Sequence, residues 1–156
     1  MEVLPRESQN IYLLRRIAPN QIPKGFVNSD VFLLREGEKG LSVFDSRSVT
    51  PRDALQAHID MLHDTMLISE GEAQEKAKQR CEKNPDVETL VAKGWRILKI
   101  PEKVFRERGF DLSEVEANGH RELLGEQGLF EKYKIDFVNL IEKGEILLLS
   151  DEDCLK

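Results

Sequence analysis

The sequence predicts an α+β fold: a single domain over 1–156 with a mixed or mostly antiparallel sheet packed with three to five helices. Three observations predict it. Strand-like runs stand near both ends of the chain, with helical patterns between them. The 156 residues are close to the commonest size of one domain, and a chain that long buries about two thirds of its unfolded surface without a metal or a disulfide. No internal repeat, heptad run or low-complexity linker divides it.

Taken in order, "IYLLRRI" (11–17) reads as a strand, with Tyr12 and Leu14 on one face and Leu13 and Arg15 on the other. "APNQIPKG" is a loop, punctuated by two prolines and a glycine. "VFLLRE" (31–36) and "LSVFD" (41–45) flank "GEKG", which predicts a hairpin with a four-residue connection. A helix follows. Thr50 suits its N-cap, Pro51 its first position, and Asp53 the acid of a capping box. Ala54, Leu55, His58, Ile59 and Leu62 then form its apolar stripe.

Residues 69–84, "SEGEAQEKAKQRCEKN", form a charged helix with Ser69 as cap and a thin stripe of Ala73, Ala77 and Cys81. A helix of this kind packs weakly and is suited to a partner. "NPDVETLVAKG" gives a short helix closed by Gly94, "WRILKIP" a strand, and "PEKVFRERG" another short helix. Asn118-Gly119 predicts a turn that leads into a short strand. Phe130, Tyr133, Phe137, Leu140 and Ile141 mark a helix over 129–144, "EILLLS" a last strand, and 150–156 a charged tail.

Composition narrows the function. The hydrophobic fraction is 40%, the charged fraction 33% and the formal net charge -6, which describes a folded acidic domain rather than a general nucleic-acid binder. Arg15 and Arg16 with Lys24, or Lys76, Lys78 and Arg80, are expected to be solvated faces. Cys81 and Cys154 form no CxxC pair, so reduced thiols and a cytoplasmic location are expected. The first ten residues, "MEVLPRESQN", carry no apolar core for a signal peptide, and the longest apolar run, "ILLL", is too short to cross a bilayer. Neither a phosphate-cradling glycine loop nor a dinucleotide fingerprint, a nucleophile elbow or a zinc pattern is present, so no metal or cofactor is expected.

The candidate site residues are Arg16, Ser42, Asp45, His120 and Glu122. His120 follows the Asn118-Gly119 turn, and alternation puts it on one strand face with Glu122 and opposite Arg121. A histidine and a carboxylate so placed form an acid–base pair, because imidazole titrates near neutral pH. His58 lies on an apolar stripe and is expected to be buried and satisfied by a core hydrogen bond. His58 and His63 are five apart on a helix, poor spacing for a shared metal.

Three resemblances bear on these residues. "LLRRIAP", "NSDVF", "GLSVFD" and "NGHRELLG" resemble the words shared by a group of small bacterial proteins of unknown function. That likeness implies an architecture and no activity. "RDALQAH" resembles the Arg-to-His spacing of HEPN-type ribonucleases, but those are helical bundles and here strands precede the motif. The order Arg16, Ser42, Glu122 is similar to that of ADP-ribosyltransferases, which place an Arg or His on a first strand, a Ser on the next and a catalytic Glu on a late one. The resemblance implies that Arg16 would hold a phosphate of NAD, Ser42 would brace the nicotinamide pocket, and Glu122 would hold the ribose 2′-hydroxyl as oxocarbenium-like charge develops.

Two functional expectations result. The acidic balance, the charged helix 69–84 and the lack of a strong catalytic motif favour a protein-binding module of a bacterial defence or toxin–antitoxin system. The alternative is a small enzyme, ADP-ribosyltransferase-like and acting on a nucleotide such as NAD, whose site gathers the five residues named above. Convergence of Arg16, Ser42 and Glu122 on one concave pocket separates the two.

Overall fold

Apolar residues at both parities of the first strand require that both of its faces be covered, and in the computed structural model, which describes residues 11–156, they are. That strand, β1 (Tyr12–Ile17), sits inside an antiparallel sheet with β2 (Gly40–Asp45), β3 (Arg96–Pro101), β4 (Asp111–Leu112), β5 (His120–Leu124) and β6 (Leu147–Leu148). The spatial order is β4-β5-β2-β1-β3-β6. The helices are α1 (Pro51–Ile68), α2 (Gly71–Lys83), α3 (Val87–Ala92), α4 (Glu102–Arg106), α5 (Gln127–Glu142) and α6 (Asp151–Cys154). The chain is therefore a single α+β domain, as the sequence predicts. The leader reading of residues 1–10 lies outside the described residues. No helix among those described is long and apolar enough to cross a membrane.

One face of the sheet packs Leu13, Ile17, Leu41, Val43, Leu98, Ile100 and Leu123 against α4, α5 and the 29–32 turn. Its centre is aromatic. The Phe137 ring lies 4.9 Å from Phe32, 5.3 Å from Phe105 and 5.9 Å from Phe110, and all four side chains are fully buried. Each contributes about 1.5–3 kcal/mol by leaving water. The other face packs Leu14, Phe44 and Ile97 under α1, α3 and the C-terminal helix. The predicted capping box of α1 is present: Thr50 Oγ accepts from Asp53 N, and an Asp53 carboxylate oxygen from Thr50 N, both at 3.1 Å.

Four local expectations are corrected. Residues 31–36 form no strand. Val31 and Phe32 are consecutive and both fully buried, which an alternating strand with one wet face cannot do, and a 3-10 turn (Ser29–Phe32) places both in the core. The following Leu34 is held by Gln127, whose amide exchanges two 3.1 Å bonds with its backbone N and O. Ser69 ends α1 instead of starting α2: its N–H donates to Thr65 O, and Gly71, at φ +62°, lets the chain turn. Of "EILLLS", only Leu147 and Leu148 pair with β3. The expected charged tail coils into α6 because Ser150 Oγ caps it, accepting from Asp153 N at 3.1 Å, and Cys154 is fully buried in the second core.

Candidate active site

The site grows out of strand register. Ser42 pairs with Glu122 and Phe44 with His120 across β2 and β5, so all four point to the α1 face. On the other side of β2, Leu14 pairs with Phe44. Counting on two residues brings Arg16 level with Ser42 on the same face. Arg16, Ser42 and Glu122 thus stand in one row across three neighbouring strands.

At this level the sheet opens. β1 pairs with β3 at six positions, from Tyr12↔Pro101 to Ile17↔Arg96, but with β2 only at Leu13↔Asp45 and Leu14↔Phe44. The Arg15 side chain bridges the gap. Its Nη1 donates to the Ser42 carbonyl and its Nε to the Val31 carbonyl, each at 2.8 Å. Beside this opening lies a cavity of about 310 Å³, lined by Arg15, Arg16, Arg35, Ser42, His58 and Trp95 among others.

The cavity is cationic. Arg16 Nη1 donates to the Ala54 carbonyl at 3.2 Å, and its guanidinium carbon lies 5.4 Å from the Phe44 ring centre. Burial lowers the Arg15 and Arg16 pKa values to about 10, with Glu38 pulling that of Arg15 back up; both stay charged at neutral pH. Among the described residues neither guanidinium reaches a carboxylate. Two half-buried cations that end on neutral carbonyls retain their attraction for an anion. They are not the solvated face the sequence suggests, whereas Lys76, Lys78 and Arg80 are exposed as expected.

A second chain of contacts ends on Ser42. The Asn118-Gly119 turn forms as predicted. Asn118 Oδ1 accepts from His120 N at 3.1 Å, and Gly119 holds φ +86°. A Cβ on Gly119 would lie 2.8 Å from Val49 Cγ1, so the turn is seated against the start of α1. It brings Glu116 back beside His120. The Glu116 carboxylate bonds to His120 Nδ1, and His120 Nε2 lies 2.9 Å from Ser42 Oγ. A carboxylate only accepts, so Nδ1 carries a proton; in the neutral imidazole Nε2 is then the acceptor and Ser42 Oγ–H the donor.

Two expectations change here. Asp45 does not join the row: it sits on the opposite face with Leu13, fully buried. Its carboxylate takes Arg47 Nη2 at 2.7 Å and Arg121 Nη1 at 3.3 Å, a packing role. His58 makes no hydrogen bond among the described residues; it packs against Trp95, the rings tilted and their centres 4.4 Å apart, at the cavity wall. Burial first, then Arg16 and Arg80, hold its pKa down to about 4, so it is neutral at pH 7. Arg52, the other half of the "RDALQAH" string, is tied to Glu88 and to the Leu155 carbonyl.

Arg15, Trp95 and Glu116 are the residues that sequence reasoning missed. The doubled arginine was a signal for the first. Nothing in the spacing marked the other two, which act from a strand edge and a turn. A larger, more open cavity of about 620 Å³ lies at the start of α1, lined by Thr50, Lys99 and Lys156, and shares no lining residue with the row. Among the described residues no three His, Cys, Asp or Glu side chains converge as metal ligands. Compared with family models, curated proteins and solved structures, the chain matches none.

Proposed function

We propose that the chain is an ADP-ribosyltransferase-like enzyme that takes NAD as its substrate. One observation carries this reading: Arg16, Ser42 and Glu122, the residues that resemble that family's order, share one face and one row; Arg16 and Ser42 line one cavity, and Glu122 stands next to Ser42 in the row, outside that lining. The chemistry follows from the side chains. The Arg16 guanidinium, with Arg15 behind it, pairs with a phosphate of NAD. Ser42 holds the nicotinamide end by its hydroxyl. The aromatic His58–Trp95 wall, its two rings tilted by 37°, offers the face of one ring to a flat ligand ring. Glu122, half-buried and with its carboxylate bound by no described residue, accepts the ribose 2′-hydroxyl. Its charge stabilises the positive charge that grows at the ribose C1′ as nicotinamide leaves.

The test is direct. NAD is titrated against the protein by the fluorescence of Trp95, the single tryptophan, and nicotinamide release is followed by chromatography. The expected results are saturable binding below about 1 mM, a loss of affinity of about tenfold or more in Arg16→Ala, and a fall in release of about 100-fold or more in Glu122→Gln with binding kept. No binding and no release by the wild type would overturn the reading.

A second reading, a protein-binding module of a defence or toxin–antitoxin pair, rests on α2. That helix buries only Ala77 and leans chiefly on α1, so its charged surface is free for a partner. The two readings are compatible, since a partner on α2 would sit beside α1, whose His58 and Met61 line the cavity. NAD chemistry and reduced thiols both suit a cytoplasmic location.

A further inference from the structure

We infer that His120, oriented by Glu116, is the general base of this site and that the acceptor it serves is a hydroxyl group. The inference rests on the NAD reading and names what that reading leaves open, the class of group to be modified. Three features carry it. The Glu116–His120–Ser42 chain fixes the imidazole with Nδ1 on Glu116 and Nε2 on Ser42 Oγ, aimed at the row, so that the neutral ring has Nε2 as its acceptor. His120 and Glu122 share one face of β5, two residues apart, so the base stands beside the carboxylate that flanks the reacting ribose. The His120 side chain is 21% exposed, so an acceptor can reach it from solvent.

The step balances as follows. When NAD engages the Ser42 hydroxyl, Nε2 loses its partner and takes up the acceptor hydroxyl. The acceptor oxygen bonds to the ribose C1′ while the bond from C1′ to the pyridinium nitrogen breaks. Its electron pair leaves with nicotinamide, now uncharged. The hydroxyl proton passes to His120 Nε2 and from there to water. A neutral imidazole matches a hydroxyl, which sheds its proton only as the new bond forms. It does not match a guanidinium, which keeps its proton beyond pH 12. Glu116 touches neither reactant and is a positioning residue.

The experiment offers NAD together with glycerol or agmatine, a hydroxyl and a guanidino acceptor, and identifies the products by mass spectrometry. The expected product is glyceryl ADP-ribose, with no agmatine adduct. His120→Gln should lower this transfer about 100-fold with NAD binding within threefold and an unchanged circular dichroism spectrum. Glu116→Gln should lower kcat about tenfold without raising KM, and Glu116→Asp should restore part of it. An agmatine adduct, or full-rate transfer to glycerol by His120→Gln, overturns this inference alone. A wild-type chain that neither binds nor cleaves NAD overturns the reading beneath it, and this inference with it.

Discussion

The two faces of the sheet are built from the same strands, yet they differ in kind. Along β2, Leu41 and Val43 point to one face and are fully buried among apolar neighbours. Ser42, one residue off, points to the other face and bonds to a histidine. Along β5, Leu123 packs while His120 is held by Ser42 and Glu116, and Glu122 faces the same side as His120. The difference teaches a division of labour by parity. The aromatic face holds the strands in place, and that rigidity lets the α1 face carry polar groups in register.

Three substitutions break or sharpen this comparison. The largest effect belongs to the packing face. Phe137→Ala should cost about 3–5 kcal/mol in denaturant unfolding, because its ring touches three other buried rings. A cost near 1 kcal/mol would mean that this face is not the scaffold.

Asp45 comes next, the one charged residue fully buried there. Asp45→Asn should cost about 3 kcal/mol at pH 7, because Arg121 loses the fully buried one of its two carboxylate partners and keeps only Glu102, and Arg47 loses its partner as well. The hydrogen bond from Arg47 holds the Asp45 carboxyl below its ordinary pKa. A depressed folded-state value makes this stability complete above the unfolded pKa of about 3.9 and lost as pH falls through the folded value. The gap between wild type and Asp45→Asn should therefore close below about pH 4, as pH-resolved unfolding curves would read. A gap that stays constant in acid would assign the loss to shape rather than charge.

The smallest effect belongs to the cavity face. His58 titrates at about 4 when folded, below the value of about 6.5 for a free imidazole. Protons therefore favour the unfolded chain, and the wild type should lose stability as pH falls from about 6.5 to 4. His58→Leu removes that loss. The variant should match the wild type at pH 7 and exceed it on the order of 1 kcal/mol near pH 4.5, a figure reduced for the ring's partial exposure. Equal stability at both pH values would show a ring that water already reaches.

Much of this was legible in the residues themselves. Alternation placed Arg16 with Leu14 and His120 with Glu122, and the cap at Thr50 fixed the start of α1. The dominant signal was local: short periods, capping oxygens and turn glycines. What depended on distant segments was not legible. Residues 31–36 look like a strand until Phe137 and Gln127 arrive from α5 to claim them. The Asp45 carboxylate looks available until β5 delivers Arg121. Glu116 looks like one acid among many until the Gly119 turn folds it back onto His120. In the first two cases the deciding partner is far along the chain; in the third it is four residues away, and only the exact path of the turn brings it round.

The two register positions that join β1 to β2 have one more consequence. They divide the sheet into two leaves, β4-β5-β2 and β1-β3-β6, hinged on a narrow spine whose upper end is fastened by a single arginine. Both cores nevertheless cross the seam, since Leu13 and Ile17 of one leaf pack with Leu41 and Val43 of the other, and Leu14 with Phe44. The spacing of the leaves is therefore set by packing, and an occupant at the mouth would meet a gap already formed rather than have to pry one open.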